Sequence, residues 1–128
     1  MKTSIKIFAG MLMCILAFVA RHPPFAPDDK EIAVIVQYKA QPSREHEAIL
    51  ALTDLIQEVK KEPYFVKIKL HVDPKDKTNI MLYEVWRDEA YYNTKHMNTA
   101  HLQRFIESSR AFLTGPPEIT IWKVDKVF

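Results

Sequence analysis

Seven side chains able to bind or activate a ligand fall in one stretch, Met81 to Phe105 (MLYEVWRDEAYYNTKHMNTAHLQRF): Tyr83, Glu84, Trp86, Tyr91, Tyr92, His96 and His101. Tyr92 and His96 are four apart, which places them on one face of a helix. Glu84 and Trp86 are two apart, which turns them to the same side of a strand. Aromatic walls with a few polar groups are the usual layout of a pocket for a small organic ligand. The competing reading is that these side chains pack the core, with the histidines capping or hydrogen-bonding. A metal site fits poorly, because His96 and His101 stand about 140° apart on an unbroken helix, and His71 or Glu84 could join them only through the tertiary fold. Nucleophilic catalysis fits less well still. Ser108 and Ser109 lack a glycine-rich elbow, and Cys14 lies in the N-terminal apolar run. The only glycines, Gly10 and Gly115, belong to no phosphate-cradling loop.

The elements that must position this cluster can be read from the spacing. Glu31 to Ala40 is β-branched and bounded by Pro42, and reads as a strand. Ser43 is the expected cap of the next helix, whose Ile49, Leu52, Ile56 and Val59 recur at helical spacing until Pro63. Tyr64 to Asp73 alternates Val66, Ile68, Leu70 and Val72 with Lys67, Lys69 and His71, and turns at Pro74–Lys77 into a partner strand, Thr78 to Trp86. Lys67, Lys69, Lys75 and Lys77 form a solvated edge around that turn. Asp88 can cap a helix to about Asn98. A second helical stretch runs from Thr99 to Leu113 with Leu102, Phe105, Ile106, Ser109 and Phe112 on one side, and Gly115-Pro116-Pro117 stops it. Glu118 to Val127 is the last strand. The order βαββαβ is the ferredoxin-like plan of the α+β class: a four-stranded antiparallel sheet with helices on one face. Ile32, Val34 and Val36 alternate with Ala33 and Ile35, and Leu82, Trp86 and Ile119 alternate with Met81, Tyr83 and Trp122. Both faces are therefore apolar, and the uncovered one is expected to pair with a second copy as a homodimer.

Composition supports one domain. The 128 residues are 48% hydrophobic and 27% charged, which excludes disorder, and a single cysteine excludes a disulfide framework. Lys2, Lys6 and Arg21 are the only charges in the first 21 positions, so the remainder holds 15 basic and 16 acidic residues (18 − 3 against 16). A near-neutral body lacks the basic footprint of a nucleic-acid binder. Residues 1–20 pair two lysines with a fourteen-residue uncharged run, Ile7 to Ala20, too short to span a bilayer and patterned as a secretory signal. The expectation is an exported protein, periplasmic or secreted, touching the membrane only through this segment if it is not cleaved. Residues 21–30 form a proline-rich spacer, and the domain occupies 31–128.

The LYEVW run of Leu82 to Trp86, followed by HMNTAHLQRF of His96 to Phe105, resembles the antibiotic biosynthesis monooxygenase domain family: a strand with Tyr-Glu-x-Trp, then His-x-x-Thr-x-His-Leu-x-x-Phe. The resemblance implies a dimeric α+β barrel in which two ferredoxin-like sheets pack face to face, with a pocket between helices and sheet in each subunit. It also implies oxidation of a quinol or polycyclic phenol by molecular oxygen without metal, flavin or other cofactor. On that reading His96 and His101 are the base or hydrogen-bond donor, Trp86 walls the pocket, and Tyr83, Glu84 and Tyr92 support the substrate. His96 is expected to face the pocket more directly, because it shares a face with Tyr92. The same barrel also serves non-catalytic binding and stress-related modules. The haem-degrading branch is disfavoured. Its first-strand asparagine, tryptophan and iron-ligating histidine would fall at Val36, His96 and Ile106, and Ile106 cannot ligate iron.

Overall fold

The computed structural model describes residues 30–128; the segment patterned as a signal and all but the last residue of the proline-rich stretch lie outside the described residues. Four strands, β1 (Ile32–Lys39), β2 (Phe65–Val72), β3 (Asn79–Trp86) and β4 (Glu118–Trp122), form one sheet in the order β2-β3-β1-β4, every neighbouring pair antiparallel. Helices α1 (Glu45–Val59), α2 (Glu89–Thr94) and α3 (Ala100–Ser109) complete the ferredoxin-like α+β fold.

Alternation along the strands sorts the two faces. Ile32, Val34, Val36 and Tyr38 of β1 and Ile80, Leu82 and Trp86 of β3 are buried under the helices. The register sets Ala33 against Trp122 and Val85, and Ile35 against Tyr83, on the opposite face. From above, α1 contributes Ala48, Leu52, Leu55 and Val59, and α3 contributes Leu102 and Phe105. That stripe is shifted slightly from the expected one, since Ile49 and Ile56 are only partly buried.

Local signals explain the helix ends, with two departures. Ser43 does not cap α1: its φ is 65°, and the N-cap position falls to Arg44, whose Nε pairs with Glu47 Oε2 at 2.6 Å. Asp88 does cap α2, its Oδ1 accepting from the Tyr91 N–H at 2.7 Å. That helix stops at Thr94 rather than Asn98. A single 3-10 turn, His96–Asn98, follows, and Thr99, in extended conformation (ψ 146°), starts α3 in a new direction. The kink at Lys95–Thr99 decides the geometry of the site.

Candidate functional site

A cavity of about 370 Å³ lies between the sheet and the helices. Val36, Ile68 and Leu82 form its sheet side, while Leu55, Val59, Leu102 and Phe105 form its helix side. Its polar lining includes Tyr38, Glu84, Tyr92, His96, Ser109 and Arg110, and Gly115–Pro117 border it where the chain leaves α3 for β4. The lining is overwhelmingly hydrocarbon with a few fixed polar atoms, which suits an aromatic ligand carrying one or two hydroxyls.

The sequence candidates divide sharply. Glu84, Tyr92 and His96 line the cavity. Trp86 stands behind it, fully buried, and donates from Nε1 to Glu84 Oε2 at 2.8 Å. Its ring also meets Tyr92 edge-on at 5.6 Å and His96 at 4.5 Å. It holds the wall residues in place without being the wall. Tyr83 is turned to the helix-free face by alternation between Leu82 and Glu84, and is not brought to the cavity. His101 is not among the lining residues either. Tyr92 and His96 stack at 4.9 Å and 24°, although the helix joining them has already ended. Tyr38, not a sequence candidate, adds a second phenol from β1.

The residue that sequence reasoning missed is Glu62. It follows α1, where the chain reverses through Pro63 and Tyr64, the latter at φ 68°. Its carboxylate lies 3.0 Å (Oε2) and 3.1 Å (Oε1) from His96 Nδ1, and 2.8 Å (Oε2) from His101 Nε2. Tyr91 Oη donates to Oε1 at 3.1 Å. Both side chains of the Glu62–His96 pair are only 6% exposed. A charged residue in KKEPY reads as the solvated end of a helix; only the left-handed turn and the kink before α3 reveal otherwise.

Burial sets the electrostatics. It raises the Glu84 carboxyl to about 7, with Glu62 adding to the rise and the Trp86 hydrogen bond opposing it. Burial also raises the Tyr38 and Tyr92 phenols, each further raised by Glu84. His96 is lowered by burial, while the Glu62 carboxylate pulls in the other direction. The cavity thus holds a histidine that is neutral near pH 7, a carboxyl that is partly protonated there, and two phenols that keep their protons. With Nδ1 committed to Glu62, Nε2 is the ring nitrogen left to accept a proton.

Residues 31–108 match the family model described as antibiotic biosynthesis monooxygenase. An uncharacterized protein of Synechocystis sp. is 27% identical over 128 residues, covering 97% of this chain and 86% of its own. Among solved structures, protein PA3566 from Pseudomonas aeruginosa superposes with a TM-score of 0.68 at 24% identity, covering 77% of this chain and 98% of that one. SnoaB, a cofactor-independent oxygenase from Streptomyces nogalater, has a TM-score of 0.67 at 13% identity, covering 77% and 96%. At these identities the structural likeness is one of fold.

Proposed function

We propose, from the premise that this chain belongs to the antibiotic biosynthesis monooxygenase family, that it oxidises a quinol or polycyclic phenol with molecular oxygen, using no metal, flavin or other cofactor. The observation that carries this reading is His96, an imidazole whose pKa burial lowers, on the wall of a mostly apolar cavity. A hydroquinone holds the four electrons that O2 requires. One oxygen atom replaces a ring hydrogen, the ring reaches the quinone level, and the second oxygen atom leaves as water. The reaction with oxygen begins from the phenolate, which is far more electron-rich than the phenol. Moving a proton from a phenol near pKa ~10 to an ordinary imidazole near ~6.5 is uphill by about 5 kcal/mol, and the burial that lowers His96 steepens the climb. The protein must therefore stabilise the products of that transfer. Glu84 in its protonated form and the Tyr38 and Tyr92 hydroxyls are donors for the developing oxyanion.

The apolar patch of Ile35, Met81, Tyr83 and Trp122 on the helix-free face, flanked by Lys67, Lys69 and His71 of β2, supports assembly as a homodimer through the sheets. Oxygen uptake by purified protein against a panel of hydroquinones, with and without chelator, tests the activity. His96→Ala should lower the rate about 10²–10⁴-fold, the usual contribution of a positioned base. Saturable binding of the aromatic panel without oxygen uptake would make the cavity a binding module instead. Loss of activity on chelation would reinstate a metal.

A further inference from the structure

The two motif histidines are not equivalent, and one buried carboxylate distinguishes them. Glu62 lies within hydrogen-bond distance of groups from three separate pieces of chain: the Tyr91 hydroxyl on α2, His96 Nδ1 in the 3-10 turn and His101 Nε2 in the first turn of α3. An ionised carboxylate only accepts, so each nitrogen facing it must carry its hydrogen. His96 bears its proton on Nδ1 and His101 bears one on Nε2. We infer that Glu62 is the positioning residue of the site: it fixes the His96 tautomer that leaves the Nε2 lone pair free, and His101 and Tyr91 act by holding Glu62 in place.

The inference rests on the reading of His96 as the base and assigns His101 a different task. His101 is absent from the cavity lining but lies 2.8 Å from the Glu62 oxygen that also faces His96 at 3.0 Å. It acts through the carboxylate, not on the substrate. When His96 takes up a proton on Nε2, the new imidazolium charge sits beside Glu62, and the Nδ1–H bond becomes charge-assisted. The proton moves from the substrate oxygen to Nε2, and Glu62 itself takes none, following the base-and-orienter logic of hydrolase triads. The other groups around His96 are the Trp86 indole of β3, the Tyr92 ring of α2 and the His101 imidazole of α3, while the Glu84 carboxyl shares its cavity wall. Of these, a protonated His101 would oppose charge on His96, while Glu62 favours it.

The test uses the full chain with 15N-labelled histidine. In the wild type His96 should show the Nδ1–H tautomer. Glu62→Gln should mix the tautomers and move the His96 titration to lower pH, because the anion favouring its charge is gone. With a hydroquinone that is turned over, the same variant should lose about 10- to 100-fold in kcat, a fraction of the ~10²–10⁴-fold a base contributes, with little change in KM. A second pair avoids touching Glu62. His101→Phe removes a donor and should disturb the His96 tautomer, whereas His101→Gln restores an N–H and should recover it. An unchanged His96 tautomer and titration in Glu62→Gln would overturn the assignment. The spectra need no turnover, so a protein that oxidises no quinol yet shows these shifts refutes the oxygenase reading alone.

Discussion

Replacing Glu84 by glutamine should make the protein more stable, and more so as pH rises. Glu84 is buried at the cavity wall, and burial above all raises its carboxyl from the ordinary 4.5 to about 7. Between those values the folded chain keeps a proton that the unfolded chain has released. Folding stability therefore falls as pH rises through that window and levels off above about 7. The difference of 2.5 (7 − 4.5) corresponds to about 3 kcal/mol at full ionisation. Glutamine cannot ionise, and its carbonyl oxygen can still accept the Trp86 indole N–H. The stability gain of Glu84→Gln over wild type should thus grow by about 2 to 3 kcal/mol from pH 5 to pH 8. His96 complicates the wild-type curve alone. Its lowered pKa means that the unfolded chain binds the extra proton, so its contribution rises with pH toward 6.5 and partly masks the fall due to Glu84. Subtracting the two proteins removes that masking. Urea denaturation at half-unit pH intervals, with equal m-values for both, is the assay. A difference that stays flat from pH 5 to 8 would show that Glu84 is not held protonated by burial.

Trp86→Ala should cost about 3–5 kcal/mol, the usual range for emptying a buried tryptophan site, because its ring packs against Phe65, Tyr92 and His96 at 5.9, 5.6 and 4.5 Å. A loss under about 1 kcal/mol in chemical denaturation would contradict that packing. The purified domain should sediment as a homodimer at micromolar concentration, and Ile35→Lys, on the helix-free face, should yield a monomer with unchanged far-ultraviolet circular dichroism. A wild-type monomer would refute pairing through the sheets.

The strand order was legible because each strand declares itself locally. The β-branched run of β1, the Val-Lys alternation of β2 and the breaks at Pro63 and Gly115-Pro116-Pro117 leave few other arrangements. The pairing of Glu84 with Trp86 followed from the strand period, whereas Tyr92 and His96 meet across the end of α2 and not along one helix. What sequence periodicity missed was the break after Thr94. The 140° separation of His96 and His101 assumed a continuous helix; with Thr99 extended, both histidines turn to one carboxylate. Glu62 was illegible for a related reason. Its neighbours Lys60 and Lys61 are exposed, and nothing short of the tertiary turn distinguishes it from them. Side chains that act along one element can be read from spacing, whereas those gathered from three elements cannot.

The two tryptophans give the domain a built-in optical probe. Trp86 is fully buried with its ring 4.5 Å from the His96 imidazole, whereas Trp122 is 58% exposed on the edge strand. Buried indole emits to the blue of solvated indole, and a soluble quencher such as iodide reaches only the latter. Trp122 lies on the face expected to pair with a second copy, so the substitution Trp122→Phe, rather than a quencher, isolates the emission of Trp86. An imidazolium in contact with an indole accepts an electron from its excited state, while a neutral imidazole does so poorly. In Glu84→Gln, which removes the titrating carboxyl hydrogen-bonded to the same indole, the blue-edge intensity reports the charge on His96 in real time, so proton uptake at the wall of the cavity can be followed in a stopped-flow instrument without any label.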